Sequence, residues 1–320
     1  MPKLITRRRV LWGLGGVAGT AVLGAGGFFL EDRYSRFFRR AESQIRDHRV
    51  APPATTPKMV VAHGQDAAKN VRAVLARLGG MSQYIGPEDV VVVKPNIGWD
   101  AAAETGANTH PEVVAEVVRL VRDARPKRVI VADCPVRKSR AAFIRSGIQA
   151  AALSAGAEVF APEDIRHVAV KVSERLGTWD VLEPFVWASK IINVPVAKHH
   201  PLTGVTAGLK NWMGITGKLR LMMHEDIQRS IAELAMMMKP TLTIIDATRL
   251  LMQNGPDGGN AGDVKQTGAM AAGFDPVALD AWAYSLFPSV ALPGNLQIAQ
   301  QMGLGTTDFR SLNPVEVQSA

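Results

Sequence analysis

The chain has 320 residues, 47% of them hydrophobic and 21% charged, with a formal net charge of +8 and one cysteine. That length and apolar content suit a large folded α/β domain and exclude a disordered chain. The lone Cys134 excludes an internal disulfide framework, a cysteine-rich zinc site and a self-contained iron–sulfur cluster. Residues 1–50 carry ten Lys or Arg against four Asp or Glu, so most of the excess charge sits there. A nucleic-acid-binding body therefore has little support.

Residues 1–30 divide into a basic stretch and an uncharged, glycine-rich apolar stretch of about 20 residues, enough to cross a bilayer. The junction Thr6-Arg7-Arg8-Arg9-Val10-Leu11 resembles a twin-arginine export signal. Phe28-Phe29-Leu30 runs into Glu31-Asp32-Arg33 with no small-residue cleavage site. The expectation is an uncleaved anchor in the cytoplasmic membrane, arginines inside and body on the periplasmic side. Residues 31–50, basic with Tyr34, Phe37 and Phe38 interspersed, read as an interfacial helix. Pro52, Pro53 and Pro57 mark residues 51–58 as a stiff linker, and 59–320 form the body.

Within the body, the β-branched run 90–93 predicts a buried strand ending at Lys94-Pro95-Asn96. A helix follows over about 110–123, with an apolar stripe of Val113, Val117, Leu120 and Val121. A strand at 128–132 ends on Asp133, a helix spans about 139–154, and a third strand lies at 158–161. Another strand at 190–194 reaches Pro195, Lys198 and His199. A glycine-spaced segment, 203–217, precedes a helix over 224–238 and a strand at 241–246 ending on Asp246. A glycine-rich loop, a strand near 269–273 and a helix over 276–287 complete the pattern. The alternation predicts an α/β fold: a largely parallel sheet with a mixed edge, flanked by helices. Ligands of such sheets sit beyond the carboxyl ends of the strands, where Lys94, Asn96, Asp133, Lys198, His199 and Asp246 collect.

These residue types suit a small anionic ligand. Lys94 and Asn96 form either a solvated turn or a phosphate or carboxylate contact. Lys198, Lys210 and Asn211, among four glycines, suit an anion pocket. His199 and His200 point to opposite faces of an extended chain, so only one can serve the site. His110, at a helix N-terminus, is a capping group or a neutral base. Asp280 is the one charge on an apolar helix, paired with a lysine such as Lys94 or Lys210, or catalytic. A divalent metal ion is an open cofactor, with Asp246 and Asp257 as candidate ligands. Cys134 reads as inert.

The stretches Val91-Val92-Val93-Lys94-Pro95-Asn96, Thr109-His110-Pro111, Asn193-Val194-Pro195 and Thr206 to Gly214 resemble the domain-of-unknown-function 362 family. Asp246, Gly255-Pro256 and Asp275 to Asp280 extend the resemblance over roughly residues 59–287. Some members carry ferredoxin-type cysteine clusters, which this chain cannot reproduce. A looser likeness, in architecture alone, is to nickel-dependent lactate racemase. Two functions stay open. One is an exported, anchored enzyme in which Lys94, Asn96, Lys198, Lys210 and Asn211 hold an anion and His110, His199 and Asp280 are catalytic. The other is a non-catalytic protein that carries a ligand or cofactor for a membrane partner.

Overall fold

The computed structural model describes residues 43–136 and 138–319. The expected anchor over 1–30 lies outside the described residues, as does most of the expected basic helix. The described end of that helix, residues 43–50, is not helical. Instead it is bonded to the body: Ser43 bridges Val170, and the Thr241 hydroxyl donates to the His48 carbonyl at 2.9 Å. Among the described residues no helix is long and apolar enough to cross a membrane.

The body opens with β1 (Met59–His63), α1 (Ala67–Arg77), β2 (Val90–Pro95), α2 (Pro111–Asp123) and β3 (Arg128–Ala132). Helices α3 (Ser139–Arg145) and α4 (Ile148–Ser154) lead to β4 (Glu158–Phe160) and a hairpin of β5 (His167–Ser173) and β6 (Gly177–Leu182). Then come α5 (Pro184–Trp187), β7 (Lys190–Val194), β8 (Val196–His200), β9 (Gly204–Thr206) and the single turn α6 (Gly208–Asn211). The last elements are α7 (Ile227–Met238), β10 (Leu242–Leu251), β11 (Val264–Gly273), α8 (Pro276–Ser285), α9 (Gly294–Gln301) and β12 (Val315–Gln318).

One sheet runs in the order β12-β1-β11-β10-β7-β2-β3-β4, with β8 beside β10 and β9 beside β8. The run from β10 through β7, β2 and β3 to β4 is parallel, while β11 lies antiparallel to both β1 and β10. The expected mixed, mostly parallel α/β sheet is therefore present. The expected helix over 139–154 is two helices, because Gly147 between them takes φ +76°, outside the right-handed helical region. The expected strands 241–246 and 269–273 belong to a longer ladder that continues past a register shift between Ala247 and Arg249. The helix expected from 224 starts at Ile227, where the Asp226 side chain accepts from the Arg229 N–H.

Strand parity builds two cores. Val91 and Val93 of β2, with Val129 and Val131 of β3, enter one apolar cluster, and Val92, Ile130 and Ala132 enter the other. Both faces are covered, which is why these strands read as unbroken apolar runs. Their side chains are fixed by packing up to the last residue, so the polar groups just beyond are held in position. Ile130→Ala in this interior is expected to cost about 2–5 kcal/mol, read as a lowered urea midpoint.

Candidate functional site

The parallel register of β2 with β3 pairs Val93 with Val131, so Lys94 comes level with Ala132 and within reach of the next residue, Asp133. The Lys94 ammonium donates to Asp133 Oδ1 at 2.8 Å, Asn211 Oδ1 at 3.0 Å and the Pro95 carbonyl at 3.0 Å. Its three protons are thereby used, and it is fully buried. Burial pulls its pKa down, and the Asp133 charge opposes that shift. Asp133 also accepts the Cys134 N–H at 2.9 Å and the Ile97 N–H at 2.6 Å. Lys94 is therefore a structural cation rather than the expected anion contact. It has no proton left to offer a ligand.

Asn211 gathers the strand ends. Its Oδ1 accepts from Lys94 and from Asn96 Nδ2 at 3.2 Å, and its Nδ2 donates to Asn193 Oδ1 at 2.8 Å. The turn that carries it is gripped by α8. Asp280 Oδ1 accepts the Gly208 N–H at 2.7 Å and Oδ2 accepts the Leu209 N–H at 3.0 Å. One helical turn on, the Tyr284 hydroxyl bonds the Thr203 and Val205 carbonyls at 3.0 and 2.7 Å. Asp280 thus pairs with backbone instead of a lysine, and it positions α6 without facing the cavity. Burial raises its pKa to about 7 against those two hydrogen bonds. Close approach explains two glycines. A Cβ at Gly208 would lie 2.8 Å from Asp280 Oδ1, and one at Gly214 would lie 2.3 Å from Asp133 Oδ1. The 203–217 segment is thus an ordered wall of β9, α6 and a turn, with Leu209 and Trp212 buried beneath it.

Above this floor is a cavity of about 520 Å³. Lys198, Lys210 and Arg220 face it, with His200, His224 and Asp257 also on its walls. β8 and β9 pair so that Lys198 lies opposite Thr206, and both line the cavity together with His200, two residues along. None of the three cations forms an ion pair with a described Asp or Glu; Arg220 donates to the Cys134 carbonyl at 2.6 Å, and Lys198 to the Ala107 carbonyl. Burial, then the neighbouring Lys210 charge, pushes Lys198 down to about 7. Burial and Arg220 push Lys210 down to about 8. His200 falls to about 3, first through burial and then through the lysines, so it is neutral. Its Nδ1 accepts the Leu202 N–H at 3.1 Å, which places its proton on Nε2.

Of the residues expected at the site, Asn96, Lys198, Lys210, Asn211 and Asp257 line the cavity. His199 does not: parity turns it away, and its Nδ1 accepts the Gly255 N–H at 3.2 Å. His110 is a helix cap, its Nδ1 accepting the Glu112 N–H at 3.1 Å. Asp246 is spent on the His110 N–H at 2.7 Å and on the Thr248 N–H and hydroxyl. It is fully buried away from Asp257, and among the described residues no three His, Cys, Asp or Glu side chains converge to hold a metal ion. His200, Arg220 and His224 are the cavity residues that sequence reasoning left out. For His200 the signal was present, as the other member of an adjacent pair on a strand.

A mixed, mostly parallel sheet flanked by helices, with a cavity beyond its strand ends, defines the class: an α/β protein of the open-sheet kind. The family model described as "Domain of unknown function (DUF362)" matches residues 91–285, and the chain belongs to that family. The chain is 28% identical over 229 residues to the thylakoid-associated protein sll1697 of Synechocystis, covering 66% of this chain and 67% of that protein. Among solved structures it is similar to the lactate racemase apoprotein of Thermoanaerobacterium thermosaccharolyticum, with a TM-score of 0.40 and 11% identity. That match covers 72% of this chain and 58% of the other.

Two measurements check this geometry. Gly214→Ala pushes a methyl into the Lys94–Asp133 pair and is expected to cost about 3–5 kcal/mol in chemical denaturation. Lys198 binds a proton near pH 7 when folded but near 10.5 when unfolded, so its contribution makes stability rise with pH across that window. Lys198→Met is expected to give a shallower rise, read from urea midpoints at successive pH values.

Proposed function

We propose that the chain is an enzyme acting on a small organic anion, held outside the cytoplasmic membrane by its twin-arginine-type N-terminus. The observation that carries the catalytic part is a pair of desolvated amines, Lys198 and Lys210, on one cavity, neither in an ion pair, with the Asp133 and Asp257 charges only partly offsetting burial at Lys198. Unpaired buried cations are costly, and an anionic ligand would relieve that cost. The membrane part rests on residues 1–30 of the sequence, and the thylakoid-associated relative supports it.

In this reading Lys210 and Arg220 hold a carboxylate or phosphate, Arg220 through its planar fork of donors. Lys198, the amine that titrates nearest neutrality, transfers a proton to or from the bound ligand. His200 donates from Nε2 as a neutral group. Asn96 Oδ1, a buried acceptor on the cavity wall with no partner, takes a hydroxyl or amine of the ligand. No step is assigned to a metal ion.

The test has two parts. Calorimetric titration with inorganic phosphate or a small carboxylate should show binding that weakens as pH rises through about 8, where Lys210 loses its charge. Lys210→Met should bind at least about tenfold more weakly, the loss of one charge-assisted contact. Proton transfer is read as deuterium uptake from D₂O into a panel of small organic acids by NMR. The kcat/KM of a responsive acid should rise through about pH 7, as Lys198 becomes neutral, and fall through about 8. Anion binding with no exchange or turnover in any panel member would instead favour a carrier.

A further inference from the structure

We propose that the ligand of this cavity is an amphiphilic acid, its anionic head on the Lys198–Lys210–Arg220 floor and an apolar tail lying across the rim. The inference rests on the reading of the floor as an anion site, and it names the chemical class that fits the rest of the cavity.

Three segments distant in sequence each send a large apolar side chain to the cavity wall and leave it exposed to solvent. Val136, after β3, is 43% exposed; Leu202, between β8 and β9, is 53%; Leu221, after Gly217, is 69%. Met222, adjacent to Leu221, is 52% exposed. Single exposed apolar residues are ordinary, but seven large ones are at least 43% exposed among the described residues and three of them line one cavity.

The polarity is layered. Lys198 is 2% exposed and Lys210 and Arg220 are half-buried, whereas the leucines are mostly open to water, so the three cations lie deeper than the hydrocarbon; the one exposed charge among the described wall residues is Asp257. A bare phosphate or acetate would satisfy the depth and leave the rim wet. The volume, about 520 Å³, falls in the range of roughly 300–1,000 Å³ that takes a drug-sized organic molecule. An acid with a hydrocarbon tail matches both layers at once. Its tail would cover the leucines while its head takes the charges, and that arrangement needs no new pocket.

The experiment is a calorimetric series of straight-chain acids, acetate, butyrate, hexanoate and octanoate, each below its aggregation concentration, at about pH 6 and fixed ionic strength. Affinity is expected to tighten by about two- to fourfold per methylene once the chain reaches the rim. The double variant Leu202→Ser with Leu221→Ser alters exposed positions and should flatten that gradient. Leu153→Ser, 52% exposed on α4 and outside the cavity, should leave it unchanged. Equal affinities along the series, with acetate still lost in Lys210→Met, would overturn the amphiphile and keep the anion site. No binding of any acid would overturn both. A second arm uses vesicles of phosphatidylglycerol and phosphatidylcholine in a one-to-three ratio. Binding to these vesicles with no gradient for the monomeric acids would also overturn the proposal, making the rim a membrane-docking surface.

Discussion

The buried ion pair of Lys94 with Asp133 is the constraint on which the site depends. It closes the gap between two adjacent parallel strands at the point where their apolar side chains stop. A charge at that depth is tolerable only because its partner and its hydrogen bonds are complete. Lys94 gives all its protons to protein acceptors, and Asp133 takes two backbone N–H groups besides. The pair holds Asn211 from below, and through Asn211 it fixes Asn96 and Asn193 at the ends of β2 and β7. Of the two partners only Asp133 reaches the cavity wall, where its charge favours the ammonium form of Lys198.

That completeness separates two kinds of lysine in one small region. Lys198 and Lys210 come from β8 and α6, and the two carboxylates on the wall, Asp133 and Asp257, make no ion pair with either, though both charges favour the Lys198 ammonium. Their ammonium forms are disfavoured by burial, and each cation makes its neighbour's charge more costly. The fold holds them there through contacts that do not involve the amines. Asp280 and Tyr284, four residues apart on one face of α8, clamp the backbone of α6 and β9. Favourable hydrogen bonds are thus concentrated in the clamp, while the cavity holds cations whose charge burial disfavours.

How much of this the sequence disclosed follows from which signals are local. The strands were legible because β2 and β3 are buried on both faces and so read as β-branched runs. Their ends, and hence Lys94, Asn96 and the rim of the sheet, followed directly. Asp280 was legible as a charge too deep to be idle, but its partners are backbone N–H groups that no residue pattern reveals. His199 and His200 turned on strand parity: once 196–200 is a strand, Lys198 and His200 share one face and His199 takes the other. Arg220 and His224 lie on a tight 3₁₀ stretch, 218–226, whose short repeat leaves no helical or strand periodicity to read. Asp246 looked like a site carboxylate because the strand reads as ending on it, whereas β10 runs on to Leu251 and the Asp246 oxygens are consumed by the start of α2 and by Thr248.

The same environment reverses the usual division of labour between lysine and histidine. In water an imidazole titrates near neutrality and an amine stays charged. Here His200 lies behind two lysines and below solvent, so its protonated form is suppressed to about pH 3. Lys198, buried with Lys210 as its neighbour, is brought to about 7. The group able to gain and lose a proton near neutrality is thus the amine, and the histidine becomes a fixed donor. Under the proposed function, a bound anion would strengthen that arrangement, since its charge would favour the ammonium on Lys210. Which group titrates near neutrality at this rim is therefore set less by residue type than by burial and by which cations share the cavity.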